Sequence, residues 1–331
     1  MSYPLADNIQ TDDVAQEPTR AGFGRGLKAA ADADDSVVGL CADLTDSTKM
    51  GEFKAAYPER FIEVGVAEQN LVTVASGMAR AGKVPFTTSY AAFSPGRNWE
   101  QIRTTICLND MPVKIIGSHA GLYTGMDGAT HQMLEDIALM RVLPNMVVIA
   151  PGDSVEAEKA TMAIATNDKP SYLRLAREKT PIFSTAESPF EIGKAYVLRT
   201  GNDVSLMGTG TMTYELLTAA NELEKIGISA EVVHVPTIKP LDENTLRESA
   251  KKTGRVLTAE EAQVNGGFGA AVAELLGEQL PTPLLRVGML DHFGESGTPD
   301  DLLKHFGLTG AKIAEKAKAF IDSTSQYHRE F

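Results

Sequence analysis

Residues 61–70 read Phe61-Ile62-Glu63-Val64-Gly65-Val66-Ala67-Glu68-Gln69-Asn70, a short apolar run that crosses a glycine into a stretch with helical spacing. Ala67, Leu71, Val74, Ala75 and Met78 recur on one helical face and Gly82 supplies a stop, which predicts a helix over residues 67–81. Glu68 therefore sits where a strand turns into a helix. Open α/β sheets bind their ligands at the carboxyl ends of strands, so Glu68 is a candidate site carboxylate. An acidic residue in a first helical turn also complements the helix dipole, and on this segment alone the two readings stand level.

The same pattern continues outward. Ser36–Cys41, Val84–Ser89, Val113–Ser118, Met146–Ala150 and Ser171–Leu175 read as strands separated by amphipathic stretches. That alternation predicts a parallel sheet with helices on both faces. Periodicity lapses around Glu178–Pro189, where Pro181, Ser184, Ser188 and Pro189 gather as a linker. It then restarts, with strands near Ala195–Leu198, Val204–Met207, Ala230–Val235, Arg255–Thr258 and Leu284–Val287, and helices at Tyr214–Ile226, Glu243–Thr253 and Phe268–Gln279. The expected layout is a two-domain α/β protein. It has an N-terminal arm over residues 1–19, a parallel-sheet domain over 20–180, a linker over 181–190 and a smaller mixed α/β domain over 191–331.

Composition narrows the class. The chain has 331 residues, 43% hydrophobic and 23% charged, enough for two domains with their own cores. Its apolar runs fall short of the ~20 residues of a membrane span. Met1–Pro18 is polar and acidic, without the basic start and apolar stretch of a secretory signal, so it reads as a surface arm and the expected compartment is cytoplasmic. Cys41 and Cys107 lie in apolar segments without metal-ligand spacing, as buried, reduced thiols do. A formal charge of −13 argues against broad nucleic-acid binding and requires any anionic ligand to find a local basic pocket.

The densest polar cluster runs from Ser118 to Gln132 and holds His119, Asp127 and His131 among Gly121, Gly125 and Gly128. It reads as a site loop able to orient hydroxyls, a phosphate or a proton-transfer partner. Its histidine spacing fits no standard zinc motif. Asp43 and Ser47 follow one predicted strand, Arg177 follows another, and Arg20 precedes the first helix. Singly, each has an ordinary explanation as a cap or a surface residue. Together, Arg20, Ser47, His119 and Arg177 make a basic rim suited to a phosphate. Tyr90 and Phe93 end a strand where they could clamp a flat ring, whereas Trp99, Ile102 and Ile106 read as core.

Gly65-Val66-Ala67-Glu68-Gln69-Asn70 with the His119–His131 loop resembles the thiamine-diphosphate-dependent transketolase family. The resemblance covers nearly the whole chain but only the latter half of a full-length transketolase. It implies a pyrimidine-binding domain followed by the family's C-terminal domain. Glu68 is then the carboxylate that bonds N1′ of the cofactor's aminopyrimidine and assists removal of the thiazolium C2 proton. Tyr90 and Phe93 match the aromatic pocket for that ring, and Asp43 falls in an Ala-Asp-Leu-Thr motif lining the cofactor site. Arg20, Ser47, His119 and Arg177 match residues that bind a sugar phosphate. Asp127 matches a contact to a substrate hydroxyl, and His131 a catalytic residue near the reacting carbons. Ala120, Met126, Ala129 and Gly96 depart from the family pattern, which leaves the sugar open, sulfosugars included.

The family holds its cofactor's diphosphate through a divalent metal, usually with a Gly-Asp-Gly motif and a later Asn. Met126-Asp127-Gly128 and Gly152-Asp153-Ser154 do not match that signature, so no metal ligand is assigned to this chain. The expectation is a split transketolase. A separate subunit would carry the diphosphate-binding domain and a metal such as Mg2+, with two copies of each chain in a heterotetramer. It would transfer a two-carbon ketol unit from a phosphoketose to an aldose phosphate. His234, His292 and His305 are expected to be structural. The competing readings are the β subunit of a thiamine-dependent 2-oxo-acid dehydrogenase, a relative of deoxyxylulose-phosphate synthase, which normally carries both halves in one chain, and a non-catalytic ligand-binding regulatory subunit.

Overall fold

The structure, a computed structural model, describes residues 3–9, 11 and 13–327; Met1, Ser2, Gln10 and Asp12 of the expected arm and residues 328–331 of the tail lie outside it. Chain order in the first part is β1 (Gln16–Glu17), α1 (Thr19–Ala33), β2 (Val37–Cys41), α2 (Gly51–Ala56), β3 (Phe61–Glu63), α3 (Glu68–Arg80), β4 (Val84–Tyr90), α4 (Trp99–Gln101), β5 (Lys114–Ser118), α5 (Asp136–Arg141), β6 (Val147–Ile149), α6 (Ser154–Ala165), β7 (Ser171–Arg174) and β8 (Thr180–Pro181). Helix α4 runs on as a π-helical segment, Ile102–Cys107. The second part adds β9 (Tyr196–Arg199), β10 (Val204–Gly208), α7 (Met212–Glu224), β11 (Ala230–His234), β12 (Thr237–Lys239), α8 (Glu243–Thr253), β13 (Val256–Gln263), α9 (Phe268–Gln279), β14 (Leu284–Met289), α10 (Pro299–His305) and α11 (Gly310–Tyr327).

Among the described residues the larger sheet has the order β12-β6-β7-β5-β4-β2-β3, parallel except for β12. Strands β2 and β5 are buried along their whole length, as expected of central parallel strands covered on both faces. One face is covered by α1, α2 and α6, packing Phe23, Leu27, Phe53, Ala157 and Ile164 on Ile116, Ile149 and Leu173. Helices α1 and α6 come close because Gly22 has no side chain: a Cβ there would lie 1.8 Å from the Ser154 carbonyl oxygen. The other face carries α3, α5 and the π-helical segment through Leu71, Ala75, Ile106, Ile137 and Met140.

The second sheet has the order β14-β13-β10-β11-β9, with β9 antiparallel and the rest parallel. Its core is continuous with the first on the α3 side, where Val233, Val235, Phe268 and Val272 join the same cluster. Strand β12 leaves the second part of the chain and pairs with β6, so an edge of the first sheet is closed by residues 237–239. The sequence pattern assigned that segment to neither sheet.

The stretch read as a surface arm lies docked on the linker. Strand β1 pairs with β8, the Ala6 N–H donates to the Phe183 carbonyl at 2.9 Å, the Ser188 hydroxyl donates to the Pro4 carbonyl at 2.6 Å, and Tyr3 and Ile9 are buried. Burying two large apolar side chains is what fixes an otherwise polar segment. Arg20, expected before the first helix, lies in its first turn. Cys41 and Cys107 are both buried free thiols. No helix of the described residues is long and apolar enough to cross a membrane.

Candidate active site

Strands β2, β3, β4, β5 and β7 deliver the singled-out residues to one rim, at their carboxyl ends. Glu63 ties two of those ends together. Its Oε1 accepts from the Asp43 N–H at 2.7 Å and from the Gly65 N–H at 2.9 Å. Asp43 has φ +60° and Gly65 φ +70°, so both strand exits turn through the left-handed region, which glycine enters without strain and Asp tolerates better than most residues. Three residues beyond Gly65 the chain enters α3 at Glu68, which is 1% exposed.

The Glu68 carboxylate meets Arg97, whose Nη1 donates to Oε2 at 2.6 Å. The Glu68 carbonyl accepts from Asn98 Nδ2 at 2.8 Å. The Arg97 guanidinium also lies 5.0 Å from the centre of the Phe93 ring. From Phe93 a cluster of rings leads onward. Phe93 stacks with Tyr90 at 5.9 Å and meets His131 edge-on at 5.5 Å, and Tyr90 stacks on His119 at 3.7 Å. Glu68, Arg97, Phe93, Tyr90 and both loop histidines thus form one chain of contacts.

The charged rim adjoins His119. Arg20 Nε donates to the Arg177 carbonyl at 3.0 Å, and its Nη1 to the Ser47 carbonyl at 2.5 Å, so Ser47 engages Arg20 through its backbone rather than its hydroxyl. Arg177 Nη1 donates to the Thr124 carbonyl at 3.0 Å and pairs with Asp127 Oδ1 at 3.2 Å and Glu178 at 3.3 Å. Burial pushes the His119 imidazole down to about 2, and the positive Arg20 and Arg177 push the same way. His119 is therefore neutral across the physiological range; its Nδ1 lies 2.9 Å from Ser118 Oγ. The Arg20 guanidinium is itself lowered, first by burial and then by Arg177. Two crowded arginines beside a neutral histidine make a place for an anion. Asp43 is held through its backbone N–H to Glu63.

Several residues that build this site carry no sequence signature. Gln132 Nε2 donates to the Gly125 carbonyl at 2.9 Å and to the Glu295 carbonyl at 2.8 Å, fastening the 119–131 loop to the second domain. Glu261 Oε2, from β13, accepts from the Leu122 and Tyr123 N–H groups at 2.7 and 3.2 Å, while its Oε1 pairs with the buried Arg174 at 2.8 Å. Arg174 Nε reaches Asp136 at 3.0 Å, and the Tyr172 hydroxyl donates to the same carboxylate oxygen at 2.7 Å. A charge inside the apolar strand Ser171–Arg174 was a readable signal, since a buried arginine needs partners; which partners was not. Asp153 is a helix cap, accepting from the Glu156, Phe183 and Ser184 N–H groups. His234 is buried, with Nε2 2.7 Å from Glu156 Oε2 and Nδ1 2.6 Å from Thr213 Oγ1. Among the described residues no group of three or more His, Cys, Asp or Glu side chains is placed to hold a metal ion.

Comparison with known proteins fixes the family. Residues 16–182 match the transketolase pyrimidine-binding domain, and residues 193–313 match the transketolase C-terminal domain. The chain belongs to the transketolase family. It is 44% identical over 287 residues to the 6-deoxy-6-sulfo-D-fructose transketolase subunit SqwH of Clostridium sp. (strain MSTE9), covering 87% of this chain and 89% of that one. A solved split-gene transketolase, described as an inactive beta4 tetramer, superposes with a TM-score of 0.85 at 43% identity, covering 92% and 97% of the two chains. The 1-deoxy-D-xylulose-5-phosphate synthase of Cyanothece sp. (strain PCC 7425) is 39% identical over 90% of this chain, which spans 48% of that protein. The chain is thus a split-transketolase-like subunit built of the pyrimidine-binding and C-terminal domains. At Gly96 a Cβ would lie 2.1 Å from the Ala92 carbonyl oxygen, so this backbone admits no larger residue there without shifting.

Proposed function

We propose that this chain is the pyrimidine-side subunit of a two-chain, thiamine-diphosphate-dependent transketolase that transfers a two-carbon ketol unit from a phosphoketose, or a related sulfosugar, to an aldose phosphate. The observation that carries the reading is the buried Glu68 carboxylate joined through Arg97 to the Phe93 ring of the Tyr90–Phe93 stack, with Arg20 and Arg177 on the same sheet end. A fully buried carboxylate with N–H-accepting geometry and flat apolar rings beside it fits the aminopyrimidine end of the cofactor. The described residues offer no equivalent for a metal-bound diphosphate, and we assign that end, with a divalent ion such as Mg2+, to a separate subunit, two copies of each forming the assembly.

In this reading Glu68 holds the ring nitrogen N1′ and shares its proton. Tyr90 and Phe93 wall the ring and exclude water, and Asp43 lines the same side. When bound, thiamine diphosphate supplies the electron sink for carbon–carbon cleavage. Arg20 and Arg177 supply the charge that receives the sugar's terminal anion. His119, kept neutral by burial, contributes a hydrogen bond rather than a charge. The backbone at Ser47 sets the angle of Arg20. Asp127 orients a substrate hydroxyl once its contact with Arg177 is exchanged, and His131, steadied by Thr130 at 2.8 Å, moves protons near the reacting carbons. A terminal phosphate or sulfonate would satisfy the same arginines, and the similarity to a sulfofructose transketolase subunit favours including both.

The test is native copurification followed by a thiamine-diphosphate-dependent ketol-transfer assay with a panel of sugar phosphates and 6-deoxy-6-sulfofructose. The reading expects transfer only when both chains are present. Oxidation of a 2-oxo acid without ketol transfer would replace it with the dehydrogenase alternative.

A further inference from the structure

Burying a lone carboxylate costs several kcal/mol, so the partner that Glu68 finds within its own chain is informative. That partner is not a core residue. Arg97 comes from the loop between β4 and α4, and its side chain is 49% exposed while Glu68 is 1% exposed. One edge of its guanidinium donates to Glu68 Oε2 at 2.6 Å, and its plane carbon stands 5.0 Å from the centre of the Phe93 ring. A planar, delocalised cation is therefore held by a carboxylate at its edge and an aromatic ring nearby.

Those are the contacts proposed above for the aminopyrimidine, a flat ring bonded to Glu68 through N1′ and packed on Phe93. With Arg97 on Oε2 and beside Phe93, an aminopyrimidine on the remaining Oε1 would still meet the guanidinium at the Phe93 ring. We infer that Arg97 is a placeholder: its guanidinium fills the aminopyrimidine position in the uncomplexed chain and must withdraw from Glu68 along the groove that both residues already line with Val66, Gln69, Thr73 and Gln101 when the cofactor enters. This rests on the reading of the site proposed above. Its physical logic is an exchange. The chain keeps Glu68 compensated until the ring arrives, and the cofactor's apparent affinity falls by the fraction of chains in which Arg97 has already let go.

The inference is tested by calorimetric titration of the full chain with thiamine, the cofactor without its diphosphate, comparing wild type, Glu68→Ala and Arg97→Ala. A placeholder held about ten to one in the closed position gives roughly ten-fold tighter thiamine binding in Arg97→Ala, while Glu68→Ala loses binding. Equal or weaker binding by a folded Arg97→Ala, with Glu68→Ala still defective, overturns the placeholder and leaves the site assignment standing. Wild-type and Glu68→Ala chains that bind thiamine alike, or not at all, overturn the site assignment and the placeholder with it. If Arg97→Ala does not fold, the wild-type chain decides. The NMR signals of the Arg97 guanidinium should change from hindered, ion-paired rotation to free rotation at saturating thiamine, and unchanged signals overturn the inference.

Discussion

Arg174→Met removes the cation shared by two buried carboxylates while filling much of the same volume. Arg174 is 7% exposed, Asp136 0% and Glu261 3%. Both carboxylates lie within 3.0 Å of the guanidinium. Breaking a buried ion pair by removing one partner costs ~3–5 kcal/mol. Because a single guanidinium serves both carboxylates, the two losses do not add, and about 4 kcal/mol is the expected total. At ~1.4 °C per kcal/mol for a chain of 331 residues, the unfolding midpoint should fall by about 6 °C. The pH dependence has a definite sign. Burial raises the Glu261 carboxyl, and Arg174 is the main influence holding it down. Without Arg174 the folded-state value climbs further, so the native state binds a proton that the unfolded chain has already released. That contribution is present at low pH and is lost as pH rises through the folded value. The deficit of Arg174→Met should therefore be largest near pH 8 and shrink toward pH 5.5. Urea unfolding at both pH values measures it, and hydrogen exchange at Leu122 and Tyr123 reports whether Glu261 still holds the site loop. A loss below about 1 kcal/mol, or a deficit that grows as pH falls, would refute the reasoning.

Two further substitutions probe other parts of the fold. Burial raises the Glu260 carboxyl to about 7 against the pull of the Phe268 and Gly269 N–H groups at the start of α9, so its contribution to stability is full at acid pH and fades as pH rises toward 7. Glu260→Gln should flatten the stability profile between pH 5 and 7, where the wild type loses up to ~1.4 kcal/mol per pH unit from this group; urea midpoints across that range decide it. Gly22→Ala places a Cβ 1.8 Å from a backbone oxygen of α6 and should force α1 and α6 apart. We expect a loss of ~2 kcal/mol or more in thermal unfolding, within the range for overpacked cores, and a neutral effect would contradict the close approach.

The central strands were legible because a parallel strand covered on both faces is a nearly unbroken apolar run, as at Val37–Cys41. Tyr90, His119 and Arg177 were legible because each ends or follows such a run, and topology alone then carries them to one end of one sheet, where Arg20 joins them from the first turn of α1. What stayed hidden depends on distant pairing. Thr237–Lys239 is too short, between Pro236 and Pro240, to show a period, and it becomes a strand only because β6 presents an open edge. Arg174 announced a buried charge, but its partner Glu261 lies 87 residues away. Arg97 carried no pattern at all. Its meaning comes from the Phe93 ring and the Glu68 carboxylate, which meet it only in three dimensions. The docked arm was misleading for a related reason: its composition is polar, and Tyr3 and Ile9 reveal their burial only against the linker.

The decisive measurement is ketol transfer by this chain mixed with the proposed diphosphate-binding subunit, run with wild type and with Glu68→Ala at saturating thiamine diphosphate. Loss of a group that holds and exchanges the cofactor's proton should lower the rate by roughly 10²–10⁴-fold, with each subunit inactive alone. A Glu68→Ala assembly turning over at the wild-type rate would contradict the assignment of Glu68 as the cofactor's carboxylate.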